Sequence, residues 1–536
     1  MKFFTRAILG LLFFSAIIQV KAQFEYTNIN GSITITRYTG PGGAVVIPAL
    51  IDGLPVTGLA APGFLADLTV TSVEIPASVT NIQAGCFEYC FSLTGINVDQ
   101  ANQWFTSSGG VLFDASQATL LQYPGGFSGS YTIPAGVTTI GDHAFFANFL
   151  SNISIPSTVT NIGPVAFAYC PFLTSIQVDP RNPSYASVDG VLFDYAQATL
   201  IQYPGNLSGA YVVPPTVVSI GSYAFEYSFH LTSVELPTSV TSIGVQAFSH
   251  CNRLQAVNVD PGNGVYSSLN GVLFDLAQDV LLYYPSGLAG GYSIPSGVIS
   301  IGANAFDFAS VTSLALPATL ASVGPQPFFD CASLLSITVD PANPTYSSLN
   351  GVLFDKTQAT LIIYPDGLTG SYMVPNGVAT IGPLAFLYSL ATTITVPASV
   401  TSLQAEAFAE CARLSSVTFL GNQPAIDPTA FLDDSNLQLI YLPGVTGWTS
   451  PVAGIPALLW NAASQSAAVI PGIQNQSFGF TIKGTAGLNV LVQGCTNLAA
   501  PVWLPLQTLT LTNGSALYSQ PLDTTVSAGF FRLSTP

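Results

Sequence analysis

Charge is nearly missing from this chain. Lys and Arg together number 10 among 536 residues, against 27 Asp and Glu, and the formal net charge is −17. Nucleic acids, heparin-like polymers and anionic lipid surfaces are held by clustered cations, and the few here are scattered, which argues against all three partners. Histidine is scarcer still, with three copies. His143, His230 and His250 sit in no motif that joins a serine, a histidine and a carboxylate. No Gly-rich phosphate loop follows a strand and opens a long helix. No Cys-x-x-Cys or Cys/His set suggests zinc. These absences predict a chain with no catalytic residue, no metal and no cofactor. Beyond the first residues no apolar run is long enough to span a bilayer. Low charge combined with 49% hydrophobic residues excludes a disordered chain.

The start of the chain reads as an address. Lys2 and Arg6 precede a nearly unbroken apolar run from Ala7 to Val20, and Val20-Lys21-Ala22 fits a signal peptidase site. Residues 1–22 are therefore expected to be a signal peptide, removed on export, leaving no membrane span in the mature chain. Seven basic residues then remain: Arg37, Arg181, Arg253, Lys356, Arg413, Lys483 and Arg532.

What the chain has in abundance is repetition. Gly-Val-Leu-Phe-Asp begins at Gly110, Gly190, Gly271 and Gly351, a period of 80 or 81. Within it, a phenylalanine that usually follows alanine recurs at 64, 87, 145, 167, 225, 248, 306, 328, 386, 408 and 431, in steps of 22 or 23 alternating with 58. Regular short periods describe stacked units, none of which can bury its apolar face alone. In Thr232 to Cys251, Val234 and Leu236 alternate with Glu235 as in a strand, Pro237 closes it, and Ala247, Phe248 and Cys251 are spaced as one helical turn. The longer step carries an insert. Its turns, Gly109-Gly110, Asp189-Gly190, Asn270-Gly271 and Asn350-Gly351, are two-residue hairpin dipeptides. The fold expected is a mainly β repeat solenoid with short helical turns and periodic β-hairpin inserts over residues 47–460. A capping hairpin (23–46) around Asn30-Gly31 precedes it. A linker (461–475) and a small antiparallel β domain (476–536) follow.

Cys90, Cys170, Cys251, Cys331 and Cys411 share one phase, three residues after the core phenylalanine. Same-phase neighbours lie several coils apart, too far to bridge, so a reduced core ladder is expected. A bridge between Cys86 and Cys90 stays open at this point.

These phased residues carry a resemblance. The pattern Ile-Pro-x-x-Val-x-x-Ile-Gly-x-x-Ala-Phe-x-x-Cys, seen at Ile155 to Cys170 and in the Leu236 to Cys251 coil, resembles the BspA-like leucine-rich repeats of bacterial surface proteins. It covers roughly residues 40–445. Gln83 and Gln404 replace the glycine, and Pro327 replaces the alanine, in single coils. The resemblance implies a leucine-rich-repeat-like right-handed stack, and a secreted or surface-displayed recognition or adhesion module without enzymatic activity.

Two sets of side chains deserve weighing as sites. Asp114, Asp194, Asp275 and Asp355 stack at one phase, and Asp99, Asp179, Asp260 and Asp340 at another. Aspartate before a turn accepts backbone N–H bonds, and no unit has the dense Asp/Asn/Gly run of a calcium loop, so both ladders read as turns. Tyr123, Tyr203, Tyr284 and Tyr364 each precede a proline in the insert. They are candidates for a binding stripe, or they pack each hairpin on the solenoid. The outward strand positions, from Glu74 and Asn97 to Thr395 and Thr418, are mostly small or polar and none is aromatic. The partner expected is an extracellular protein or glycan. A structural spacer or envelope component, and an extracellular hydrolase, are the competing functions.

Overall fold

A computed structural model describes residues 23–460 except 62, 65 and 435, together with 463–465, 472–474, 477–484, 488–496, 502–521 and 530–534. The signal peptide assigned to residues 1–22 lies outside the described residues. The chain divides into two compact units, Met1–Leu288 and Ala289–Pro536. Among the described residues there is no helix, and so none long and apolar enough to cross a membrane.

The first unit opens with an antiparallel hairpin of Phe24–Ile29 and Ser32–Tyr38. Asn30 (φ 53°) and Gly31 (φ 83°) give the two left-handed positions that a type I′ turn requires. The second hairpin strand pairs in parallel with Leu54–Leu59, so its apolar side chains cover the open end of the first coil. Gly43–Val46 already belongs to that coil, pairing with Val70–Ile75. Each later coil contributes to two parallel ladders. Gly209–Val212, Leu231–Leu236 and Ala256–Val259 form one; Thr199–Gln202, Ser219–Ile220 and Ser242–Ile243 form the other. The predicted insert is a three-stranded meander, as in Tyr185–Val188, Val191–Asp194 and Thr199–Gln202. Its turn, Asp189 (φ 51°) and Gly190 (φ 83°), is again left-handed at both positions.

The insert is also a coil in its own right. Tyr123 stacks on Phe145 with ring centroids 5.2 Å apart, and Phe145 on Phe167 at 5.3 Å. Tyr203, Phe225 and Phe248 repeat this at 5.1 and 5.2 Å. Each tyrosine occupies the phenylalanine slot of its coil, so the step of 58 is a step of 36 followed by one of 22. Burying one such ring contributes about 2–3 kcal/mol.

Where the spacing suggested a helical turn, the chain makes two consecutive hydrogen-bonded turns. The residues two before and two after the core phenylalanine both have positive φ: His143 (58°) and Ala147 (54°), Val165 (49°) and Tyr169 (56°), Gln246 (49°) and His250 (57°). Such a corner buries the same positions as a helical turn does, but its N–H groups bond to the next coil, as Phe145 N to Ala166 O at 2.9 Å.

Two side-chain ladders tie the coils together. Each phased cysteine thiol donates to the phenylalanine carbonyl of the preceding coil: Cys90 to Phe64 at 2.9 Å, Cys170 to Phe145 at 3.1 Å, Cys251 to Phe225 at 3.0 Å. Cys86 and Cys90 are buried and not bridged. Asn102, Asn182 and Asn263 are buried staples. Asn263 Nδ2 donates to Pro237 O and Val240 O, each at 2.9 Å, while Oδ1 accepts from Val265 N and Tyr266 N, each at 2.9 Å. All the hydrogen-bonding capacity of a buried amide is thereby used.

The second unit uses the same coil. Gly370–Met373, Ala391–Val396, Ser416–Phe419, Gln438–Tyr441 and Ala457–Leu459 form a five-stranded parallel sheet. Tyr364, Phe386, Phe408 and Phe431 stack in order at 4.9, 4.9 and 5.3 Å. Asn343 is the staple here, and the Cys331 and Cys411 thiols donate to Phe306 O and Phe386 O. Beyond the coils, Ser477–Lys483 pairs antiparallel with Ala463–Gln465, Gly472–Gln474 and Ser515–Pro521. Two of these short strands fall in the stretch whose composition suggested a linker. Asn489–Cys495 pairs with Leu504–Thr510 and Phe530–Ser534. Phe480, Ile482, Val490, Val492 and Tyr518 form a small core that also takes in Ile440 from the last coils.

Candidate functional site: an aromatic corner

The four tyrosines weighed as a binding stripe are interior. Tyr123, Tyr203, Tyr284 and Tyr364 are 4%, 2%, 3% and 3% exposed, because each fills a core slot. Burial pushes the pKa of each phenol up to about 12. A ligand outside the coil has no access to these rings, so packing is their role in this structure. The aspartate ladders serve turns. Asp99, Asp179, Asp260 and Asp340 each accept the N–H two residues on, at 2.8–2.9 Å. Asp114, Asp194, Asp275 and Asp355 accept N–H groups four or five residues on.

A different group of residues gathers at the left-handed corner of the first unit. The residue two after each core phenylalanine takes a left-handed backbone, and in this unit that residue is Ala66, Tyr89, Ala147, Tyr169, Tyr227 or His250, of which all but the buried Ala147 reach solvent. Tyr89 and Tyr169 meet across the small Ala147 at 5.2 Å, with Phe146 edge-on to Tyr89 at 5.3 Å. Tyr169 and Tyr227 lie 3.9 Å apart, and Tyr227 stacks on His250 at 3.9 Å with a hydrogen bond of 3.0 Å between Oη and Nε2. Phe91 and Phe149 stack at 5.1 Å alongside, and Phe172, 52% exposed, packs edge-on to Phe149. All but Phe172 are half-buried. The result is a continuous aromatic ledge with its outer parts in solvent.

The electrostatics of this ledge are simple. Burial lowers the His250 pKa to about 4, so the imidazole is neutral at pH 7. Burial, then the nearby Glu226 and Glu88 charges, raise Tyr89 to about 12. Burial raises Glu88, whose Oε1 lies 3.5 Å from His143 Nε2. The ledge is therefore aromatic and weakly acidic. Ser249 Oγ lies 3.0 Å from His250 Nδ1, but Ser249 is buried and a histidine with so low a pKa is a poor base near neutrality. The contact does not make a nucleophile. Sequence reasoning passed over this ledge, although its signal was present: an aromatic precedes Cys90, Cys170 and Cys251 alike.

The outward strand positions make no comparable surface. Asn97 Nδ2 donates to Glu74 Oε1 at 3.1 Å and Asn258 Nδ2 to Glu235 Oε1 at 2.8 Å, so four of the polar side chains there are paired with each other, and Thr418 is buried.

Stacked parallel coils with a phenylalanine and cysteine interior define a β-solenoid of the leucine-rich-repeat kind. The chain belongs to the BspA type leucine rich repeat family, whose pattern matches residues 63–128, 127–212, 206–270, 291–372 and 370–447 in six copies. No curated protein matches it significantly. Among solved structures it is similar to a leucine rich cell surface protein from Faecalibacterium prausnitzii, with 23% identity over 59% of this chain and 93% of that one, and a TM-score of 0.33. It is also similar to the pneumococcal vaccine antigen PcpA (18% identity, 79% and 92% covered, TM-score 0.30). A third is a leucine-rich repeat protein from Bacteroides ovatus (19% identity, 78% and 94% covered, TM-score 0.24). The phased family pattern, and not these distant overlays, carries the assignment.

Proposed function

We propose that this chain is an exported, non-enzymatic recognition protein of the bacterial surface, and that it binds an extracellular protein through the aromatic corner of its first unit. The observation that carries this reading is the run of half-buried rings from Tyr89 through Tyr169 and Tyr227 to His250, with their outer edges in solvent. Tyrosine supplies a large amphipathic contact area at low entropic cost and is enriched at binding hot spots. The family assignment and the leader-like sequence before residue 23 support a location outside the cytoplasm. The absence of basic clusters in the sequence points away from polyanionic partners.

The test is a comparison of the chain from Gln23 onward with its Tyr169→Ala/Tyr227→Ala variant on matrix-protein, host-surface-protein and glycan arrays. Protein ligands whose affinity falls about tenfold or more in the variant support the reading. Retention of glycans alone, or binding that the variant leaves intact, overturns it. The mutual hydrogen bonds of the outward strip favour a second, structural reading, in which the coils act as a rigid spacer. That reading gains if none of the three arrays retains the chain.

A further inference from the structure

The second unit contains an apolar cavity of about 470 Å³ between the turn at 325–329, the strand Thr360–Ile363 and the turn at 383–387. Its origin is a pair of changes one block along the repeat. In the first unit, Tyr283 Oη donates to Phe248 O at 2.9 Å and meets Ser286 Oγ at 3.1 Å, so its ring fills the gap beneath the corner. Eighty residues on, Ile363 and Asp366 stand at these positions. Isoleucine lacks the reach of the ring and the space stays open.

Into this space the change places a carboxyl group. Asp366 is 7% exposed. Its Oδ2 accepts the Cys331 N–H at 2.9 Å, no described residue donates to Oδ1, and the residue lines the cavity. Asp330 is a second carboxylate on the wall, and no lysine, arginine or histidine lines it. A buried carboxylate with a single donor and no compensating cation is costly. The volume falls within the range of small-molecule sites, which are apolar with a few placed polar groups.

We propose that this cavity binds a small apolar molecule carrying one primary amine, with the ammonium bonded to Oδ1 of Asp366 and the apolar body against Phe328, Ile363, Leu384 and Leu387. A neutral apolar ligand leaves the Asp366 oxygen without a partner, and an anion meets the Asp330 carboxylate with no cation on the wall to balance it. Burial, together with the Asp330 charge, pushes Asp366 up to about 8 against the opposing Cys331 N–H, so the empty site holds a proton at neutral pH. The entering ammonium displaces that proton to solvent.

Calorimetry of the full chain at pH 7 with 2-phenylethylamine and 2-phenylethanol, a neutral isostere, tests this. The amine is expected to bind about tenfold tighter or better, with release of a proton seen as buffer-dependent heat. Asp366→Asn keeps an oxygen for the Cys331 N–H and is expected to bring the two ligands to similar affinity. Ile363→Tyr refills the cavity as Tyr283 does and is expected to abolish amine binding with Asp366 intact. Equal affinities in the unaltered chain, no saturable binding of the amine, or an amine preference that survives Asp366→Asn overturns the proposal.

Discussion

Replacing Asn263 by alanine removes four hydrogen bonds at once from a residue that is 3% exposed. The carbonyls of Pro237 and Val240 and the N–H groups of Val265 and Tyr266 all lose their partner. A buried polar group left unsatisfied costs about 1–3 kcal/mol, and one or two waters entering the vacated space recover part of that, so the expected loss is about 3–5 kcal/mol. Asp260→Ala, three residues away, is the control. It removes one exposed bond to Gly262 N at 2.8 Å and is expected to cost about 0.5–1 kcal/mol. Because coils in a repeat protein open locally, urea melts followed by circular dichroism belong beside hydrogen exchange read on peptides from 237 to 266. Asn263→Asp separates the two halves of the staple: it keeps the acceptor, loses both donors and sets a carboxylate against two carbonyls. Its destabilisation should match or exceed that of alanine at pH 7 and shrink at pH 4, where a protonated carboxyl donates once. The reasoning fails if Asn263→Ala shifts the melt no further than Asp260→Ala.

Stability of the second unit should fall as pH rises from about 4 to 8. Burial raises Asp366 to about 8, with Asp330 adding to the shift, and burial raises Asp434 to about 7, with Glu410 and Asp433 adding. Both groups are protonated in folded and unfolded chains at low pH. Above the ordinary aspartate range only the unfolded chain gives up the protons, at up to about 1.4 kcal/mol per pH unit for Asp366 until its folded pKa is passed, and with a smaller slope for Asp434, whose charge solvent screens more. Melts at pH 4, 6 and 8, with Asp366→Asn flattening the upper part, check this; stability that rises across the window refutes it. Val165, a β-branched residue at φ 49°, should be replaceable by glycine with a gain of about 1 kcal/mol, read by the same melts. Burial raises the Cys90 and Cys170 thiols to about 12 and Cys251 further. These cysteines should resist a maleimide at pH 7 in the native chain and react fully in 6 M guanidinium chloride, by intact mass.

The solenoid was legible because phenylalanine and cysteine recur in slots that every coil must fill. The hairpins were legible because dipeptides such as Asn270-Gly271 have few backbone conformations that suit a two-residue turn. The coil within each insert was hidden by one letter. Tyr123 and Tyr203 fill the phenylalanine slot, and the tyrosine hydroxyl suggested a surface role that the interior location removes. A helical turn and the double turn both bury residues at i, i+1 and i+4, so spacing alone does not separate them. Residues such as Val165 and Tyr169 carry no sign of a left-handed backbone that tertiary hydrogen bonds impose. The aromatic ledge escaped notice because Ala147 interrupts its recurrence, and it is across that alanine that Tyr89 reaches Tyr169. The acidic cavity needed the fold: Pro327 and Ile363 are far apart in sequence, and neither is unusual alone.

The asparagine staple has a bearing on how such a chain can change length. Each staple reaches back to a strand-closing proline and the residue three beyond it, and forward into its own meander, so a long coil needs a proline-closed coil before it. Excising residues 111–190 would join Gly110 to Val191 at an equivalent point and leave every staple with its proper mates. Excising one short coil would offer the amide equivalent carbonyls, because Pro134 and Val137 repeat the turn of Pro156 and Val159. Growth and shrinkage of this molecule can thus proceed by single short coils or by whole three-coil blocks, provided that every buried amide keeps a proline-closed coil behind it.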